Sequence, residues 1–147
     1  MRHRDVYNTV VRQQSNVMEP KQLREGIVCR MVHVDAPASN TLSTSHDMHF
    51  RLDGGVMLNP VAAIALWDRM LALPHGEQMR CHTPQRAIHL NFGDDRFYTA
   101  AICWECNNIS ISSSGDYSWQ TFDAQSPSAQ SFLEYIRDLV PDRDTET

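Results

Sequence analysis

The chain has 147 residues, 41% of them hydrophobic, with 13 Lys and Arg against 18 Asp and Glu for a net charge of −5. That is enough apolar material for one domain with a core, and the acidic balance argues against nucleic-acid binding, which needs a basic face to displace counterions. No run approaches the roughly 18 apolar residues of a membrane-spanning helix, and the opening MRHRDVYNTVVRQQS lacks the continuous apolar stretch of a secretory leader.

Residues 1–24 read as a polar N-terminal extension, with a short helix over Val6–Gln14. Residues 25–141 read as a single α+β domain, and 142–147 as a frayed tail. IVCRMVHV, residues 27–34, is rich in β-branched residues and predicts a strand. DAPASNTLSTSHD is a long polar loop. MHFRL alternates, with Met48, Phe50 and Leu52 on one side, and predicts a second strand that Gly54-Gly55 breaks.

Asn59-Pro60 opens a helix over about 60–73: Asn serves as N-cap, and Pro stands where a missing N–H does no harm. Its predicted apolar face is Val61, Ile64, Ala65 and Leu71, widened by Trp67. AIHLNF and RFYTAAICWEC flank the turn Gly93-Asp94-Asp95 as a hairpin. NISIS and YSWQTF continue the sheet. Ser126-Pro127 repeats the cap-plus-proline device and starts a helix over about 127–140, striped by Phe132, Leu133, Ile136, Leu139 and Val140. The expected fold is an antiparallel sheet of five to six strands with both helices packed on one face.

The richest motif is ICWECNN, residues 102–108. Residues three apart on a strand point to opposite faces, so Cys103 and Cys106 cannot cooperate on a regular one. Apolar residues occupy even positions through Ile102, Trp104 and Cys106, then odd positions at Ile109 and Ile111. This change of phase predicts a bulge or tight turn at 106–108, where Asn tolerates the left-handed backbone required.

Three chemistries compete at that bend. Buried thiols that only pack are favoured first, because free cysteines usually sit in cores. Zinc comes next, with Cys81, Cys103 and Cys106 as thiolate ligands and His82 as the fourth; against it, Cys81-His82 is an adjacent pair rather than a spaced half-site. Thiol redox chemistry is third, since no helix N-terminus follows the motif to lower a thiol pKa, and Glu105 acts the other way. In the cytoplasm, the expected compartment, the four cysteines, Cys29 included, are expected to be mostly reduced thiols.

His89, with Arg86 and Asn91 nearby, is a candidate binding surface; an ordinary exposed sheet face is the plainer reading. His46 and His49 diverge on a strand and predict a solvated face more readily than a metal pair. Trp104 and Trp119 lie on neighbouring predicted strands; core packing is the default expectation for both, and a cross-strand pair the alternative. No phosphate-binding loop, nucleophile elbow or zinc-protease helix motif is present.

From MRCHTP to AAICWECNNISI the chain resembles an uncharacterised bacterial protein family with Cys-x-x-Pro, a hairpin, then Ile-Cys-aromatic-x-Cys. The resemblance covers roughly residues 48–140 and is carried by Cys81, Pro84, Ile102, Cys103, Trp104 and Cys106. Trp104 stands where that pattern has Phe, and His89 where it has a basic residue such as Arg. The family brings no activity with it, but the resemblance implies that Cys81 belongs with Cys103 and Cys106.

The first functional expectation is a small soluble bacterial domain that binds another protein, of inhibitor or immunity type, without catalysis, cofactor, nucleic acid or membrane. The alternative is a zinc-binding or thiol-redox protein centred on Cys81, Cys103 and Cys106. An enzyme using His89 or His49 as a base has only residue type in its favour.

Overall fold

A computed structural model describes residues 19–36, 41–43, 49–77, 79, 81–113 and 116–142. The helix expected over Val6–Gln14, His46 and the tail past Asp142 lie outside these. The elements run β1 (Glu25–Val34), β2 (Thr41–Ser43), β3 (His49–Leu58), α1 (Pro60–Leu71), β4 (Arg86–Gly93), β5 (Arg96–Cys103), β6 (Asn108–Ser113), β7 (Asp116–Thr121) and α2 (Pro127–Leu139), after a single 3-10 turn at Pro20–Gln22. The strands make one sheet in the order β2-β3-β1-β4-β5-β6-β7, every neighbouring pair antiparallel. The fold is the expected α+β class. The strand beyond the expected five to six is the three-residue β2, inside what reads as a polar loop.

Gly54-Gly55 does not end its strand. β1 and β3 pair at Val28–Val56 and again at Arg30–Asp53, so two residues of β3 face one of β1 between those points. This is a β-bulge, and Gly54 takes its left-handed position with φ +65°. The Arg30 guanidinium lies in the space a side chain at Gly54 would need, and Arg30 bonds Asp53 at 3.1 Å. Glycine here permits a bend and a close approach, and the ladder resumes beyond it.

Both helices start as their sequences dictate. Asn59 Oδ1 accepts from the Ala62 N–H at 2.9 Å, and Ser126 Oγ from the Ala129 N–H at 3.3 Å; each cap satisfies one of the helix's orphan donors. Ala63, Ile64, Leu66, Trp67 and Met70 of α1, and Ala129, Phe132 and Ile136 of α2, pack on Val28, Ile88, Leu90, Ala100, Ile102, Ile109 and Ile111 of the sheet. The α1 face is rotated from the expected one: Val61 is 68% exposed and Ala65 is also exposed. Val61 and Ala65, four positions apart, share the solvent side of α1, while Ala63 of the same turn is buried close to Gly26 of β1.

Arg86 belongs to this helix-covered face. It is 4% exposed; its Nε donates to the Val140 carbonyl at 3.1 Å and its Nη2 pairs with Asp142. Arg30, its cross-strand neighbour, donates to the Pro141 carbonyl at 2.8 Å. Two arginines thus meet the carbonyl end of α2, where positive charge is favoured. Arg86 therefore does not join His89 and Asn91 on one surface, because positions 86 and 89 point to opposite sides of β4.

The opposite face of the sheet is not the open surface its composition suggests. Cys29, Met31, Phe50, Ala87 and Ala101 form a second, smaller buried cluster there, and Thr99, Asn108 and Ser110 are buried beside it. It is on this face that the sulfurs gather.

Candidate thiol–disulfide site

β5 ends at Cys103, earlier than its sequence predicts. Trp104–Asn107 forms a four-residue turn, and Cys103 pairs directly with Asn108 across it. Asn107 supplies the left-handed residue, φ +55°, so the change of apolar phase marks a complete hairpin turn. Trp104 stays on the helix side of that turn, stacked on Phe132 with ring centroids 6.0 Å apart and edge-on to Phe122. Trp119 lies on the other face, edge-on to His82 at 4.7 Å. The two tryptophans do not pair: β6 separates β5 from β7, and the side chains point to opposite sides of the sheet.

The bend brings Cys106 to Cys81, and the two form a disulfide with Cα atoms 5.6 Å apart across 25 positions of sequence. Closing a loop of this length restrains the unfolded chain by about 3.5 kcal/mol in the chain-entropy model. Cys103 and Cys29 are free and buried. They differ in surroundings. Cys29 Sγ points at the Ala87 carbonyl, 3.9 Å away; burial, reinforced by Asp53, pushes its thiol up to about 11. Cys103 sits at the bridge. The Thr83 hydroxyl lies 3.6 Å from Cys103 Sγ and 3.9 Å from Cys106 Sγ, so one oxygen touches both the free thiol and the bonded sulfur.

The segment carrying Cys81 is anchored without help from the disulfide. Asn108 Nδ2 donates to the Cys81 carbonyl at 2.7 Å. That fixes the amide orientation and presents Oδ1 to His82 Nδ1 at 2.7 Å. An amide oxygen only accepts, so Nδ1 carries the proton; in the neutral ring Nε2 then accepts from the Ser110 hydroxyl at 3.2 Å. His82 is 2% exposed, and a satisfied buried network of this kind fixes geometry. Two positions after Thr83, Gln85 joins the ladder, its N–H donating to Ile102 and its carbonyl accepting from Met31. Cys81 itself is exposed, whereas Cys106 and Cys103 are fully buried.

This arrangement corrects the ligand set expected for zinc. Cys81 and Cys106 are bonded to each other, and both His82 ring nitrogens face Asn108 and Ser110. Among the described residues no group of three or more His, Cys, Asp or Glu side chains is placed to hold a metal. The grouping of Cys81, Cys103 and Cys106 is nonetheless present, with roles the spacing does not disclose. Thr83, Asn108, Ser110 and Trp119 are missed by sequence reasoning. Asn108 alone carries a signal, as the residue just after a left-handed Asn on a buried strand.

His89 and Asn91 do share a surface. A shallow hollow of about 380 Å³ opens between them and Arg24, Asp94, Asp95 and Phe97. His89 Nδ1 lies 2.7 Å from Thr99 Oγ1, and burial holds the imidazole below its usual range, with Glu25 opposing. Asn91 uses its Oδ1 to accept from the Gly93 N–H, which supports the hairpin turn. The hollow contains no nucleophile, and its acidic turn residues outnumber Arg24.

The chain matches no family model, and no curated protein and no solved structure matches it. No helix among the described residues is long and apolar enough to cross a membrane.

Proposed function

We propose that the protein is a thiol–disulfide redox protein whose Cys81–Cys106 bridge opens and closes reversibly. The observation that carries this reading is the free Cys103 thiol held against the bridge through the Thr83 hydroxyl; a bridge that only braces the fold needs no third sulfur. The anchoring of Cys81 by Asn108 and His82 supports it further. When the bond opens, both partners stay where they were, and pre-positioned groups react as if at very high concentration. In the cytoplasm, the compartment expected from the sequence, a bridge of this kind is transient, and either catalytic or redox-sensing. The first expectation, a non-catalytic protein-binding domain, draws on an open sheet face. The centre of that face is buried at Cys29, Ala87 and Ala101, which leaves a docking surface there with little support.

Equilibration in glutathione redox buffers, followed by acid quench and thiol alkylation mapping, tests the proposal. The expected midpoint lies between about −180 and −300 mV, the range of exchange proteins and glutathione pools. A bridge that stays closed below about −300 mV behaves as a structural disulfide and sinks the redox reading.

A further inference from the structure

We infer that Cys103 is the internal nucleophile of this site, and that its attack on Cys106 transfers the free thiol from the buried Cys103 to the exposed Cys81. The inference deepens the redox reading and depends on the bridge being exchangeable.

The step balances within the protein. Cys103 gives up its proton to water and its sulfur bonds to Cys106 Sγ. The Cys81–Cys106 bond breaks, and its electron pair leaves with Cys81, which takes a proton from solvent. One disulfide and one thiol go in, and one disulfide and one thiol come out, so no external oxidant or reductant enters.

Geometry selects the direction. Cys103 and Cys106 stand at the start and near the end of one tight turn, which brings both sulfurs to the same Thr83 hydroxyl, 3.6 and 3.9 Å away. The attacking sulfur and the sulfur it attacks therefore meet at one oxygen. Solvation selects the leaving group. Negative charge on a departing sulfur is penalised by burial; Cys106 is fully buried and Cys81 is exposed. Attack at Cys106 therefore expels the sulfur that water can stabilise.

The consequence is an exposure switch. With Cys81–Cys106 closed, both free thiols, Cys29 and Cys103, are buried. After exchange a thiol stands at the surface, able to meet a partner disulfide or a thiol-reactive electrophile. Cys29 takes no part, its sulfur being turned to the Ala87 carbonyl whereas Cys103 meets Thr83 beside the bridge.

The test uses the full-length oxidised protein, folded and without reductant, incubated with excess N-ethylmaleimide, quenched in acid and peptide-mapped. The expected product carries the label on Cys81 and a Cys103–Cys106 bridge. Cys103→Ser and Cys103→Ala should each lower Cys81 labelling roughly tenfold or more, because the exchange route is gone, while retaining the Cys81–Cys106 bridge. Label on Cys103 with Cys81–Cys106 intact overturns the inference, as does an unlabelled Cys81. The wild-type map decides between these even if a Cys103 variant folds poorly. A glutathione titration of the same sample separates the two levels. If the bridge opens in glutathione but Cys81 is never labelled without it, the redox reading stands and the internal exchange is wrong; if it opens in neither, both fail.

Discussion

The two faces of the sheet are built from different materials. The helix-covered face is mostly hydrocarbon: Val28, Ile88, Leu90, Ala100, Ile102, Ile109 and Ile111 meet Trp67, Met70, Phe132 and Ile136, with Arg86 and Gln120 as its buried polar side chains. The other face buries two free thiols, a histidine, a threonine, an asparagine and a serine: Cys29, Cys103, His82, Thr99, Asn108 and Ser110. Apolar contact is non-directional and tolerates small shifts, whereas a buried polar group must meet its partner in a defined geometry. The first face therefore supplies stability, and the second fixes positions. The sulfur chemistry sits on the face that fixes positions.

Removing hydrocarbon tests the first half of that contrast and should give the largest effect. Phe132 is fully buried against Trp104 and beneath the Arg69 guanidinium, 5.5 Å from the ring centroid. Phe132→Ala should cost about 3–5 kcal/mol in equilibrium denaturation. Exchange at the bridge should be nearly unchanged in conditions where the variant is folded. A loss of exchange rate in the folded variant would show that the two faces are coupled.

Asn108→Ala tests the other half. It strips a partner from the part-buried Cys81 carbonyl, which water can reach, and from the buried His82 Nδ1; one buried group left unsatisfied costs about 1–3 kcal/mol. The loss should be smaller than at Phe132, but bridge re-closure after reduction should slow, because the Cys81 segment is no longer held in place. Stopped reoxidation with alkylation mapping measures this. If re-closure keeps its wild-type rate, the network is not what positions Cys81.

The hydrocarbon face was legible in the sequence and most of the other was not. Period-3.6 and period-2 patterns place Ile64, Trp67, Phe132, Ile136, Ile88 and Leu90 correctly, and the Asn59-Pro60 and Ser126-Pro127 devices mark both helix starts. Alternation also assigns Thr99, Ser110 and His82's partner Asn108 to non-apolar positions, but leaves open whether such positions meet water. Pattern alone cannot tell a solvated polar face from a buried, hydrogen-bonded one, because the difference lies in distant partners: Asn108 meets Cys81 from 27 positions away. The bend at Asn107 was visible as a change of phase. Which cysteine it served was not, since that depends on the path of residues 81–85 across the sheet. Gly54 misled for a related reason: left-handed glycine marks a bulge as readily as an end, and only cross-strand register distinguishes them.

Helix capping offers a further, smaller handle on the hydrocarbon side. Asn59→Ala removes the acceptor for the Ala62 N–H and should cost about 1 kcal/mol, read as a shift of the denaturation midpoint with unchanged slope. It should leave the glutathione midpoint of the bridge where it was, since α1 does not touch the sulfurs. A parallel shift in that midpoint would mean that stability and bridge chemistry are not separable by face.

The smallest effect should come from His89, at the rim of the polar face. Burial disfavours its charged form, so its folded-state pKa lies below that of the unfolded chain, near 6.5 in ordinary peptides. Between those two values the unfolded chain holds more protons than the native one, so stability rises with pH across that window. The contribution is complete above about pH 6.5 and is lost as pH falls through the folded pKa. His89→Gln keeps a hydrogen-bonding side chain toward Thr99 without a titrating group, and should flatten the slope of stability against pH on the acid side by less than the loss at Asn59. Proton NMR of the His89 ring provides the independent check. Titration at or above the ordinary imidazole range would mean that this edge of the polar face is wetter than its neighbours Thr99 and Ser110, and that burial on the second face stops short of β4's outer end.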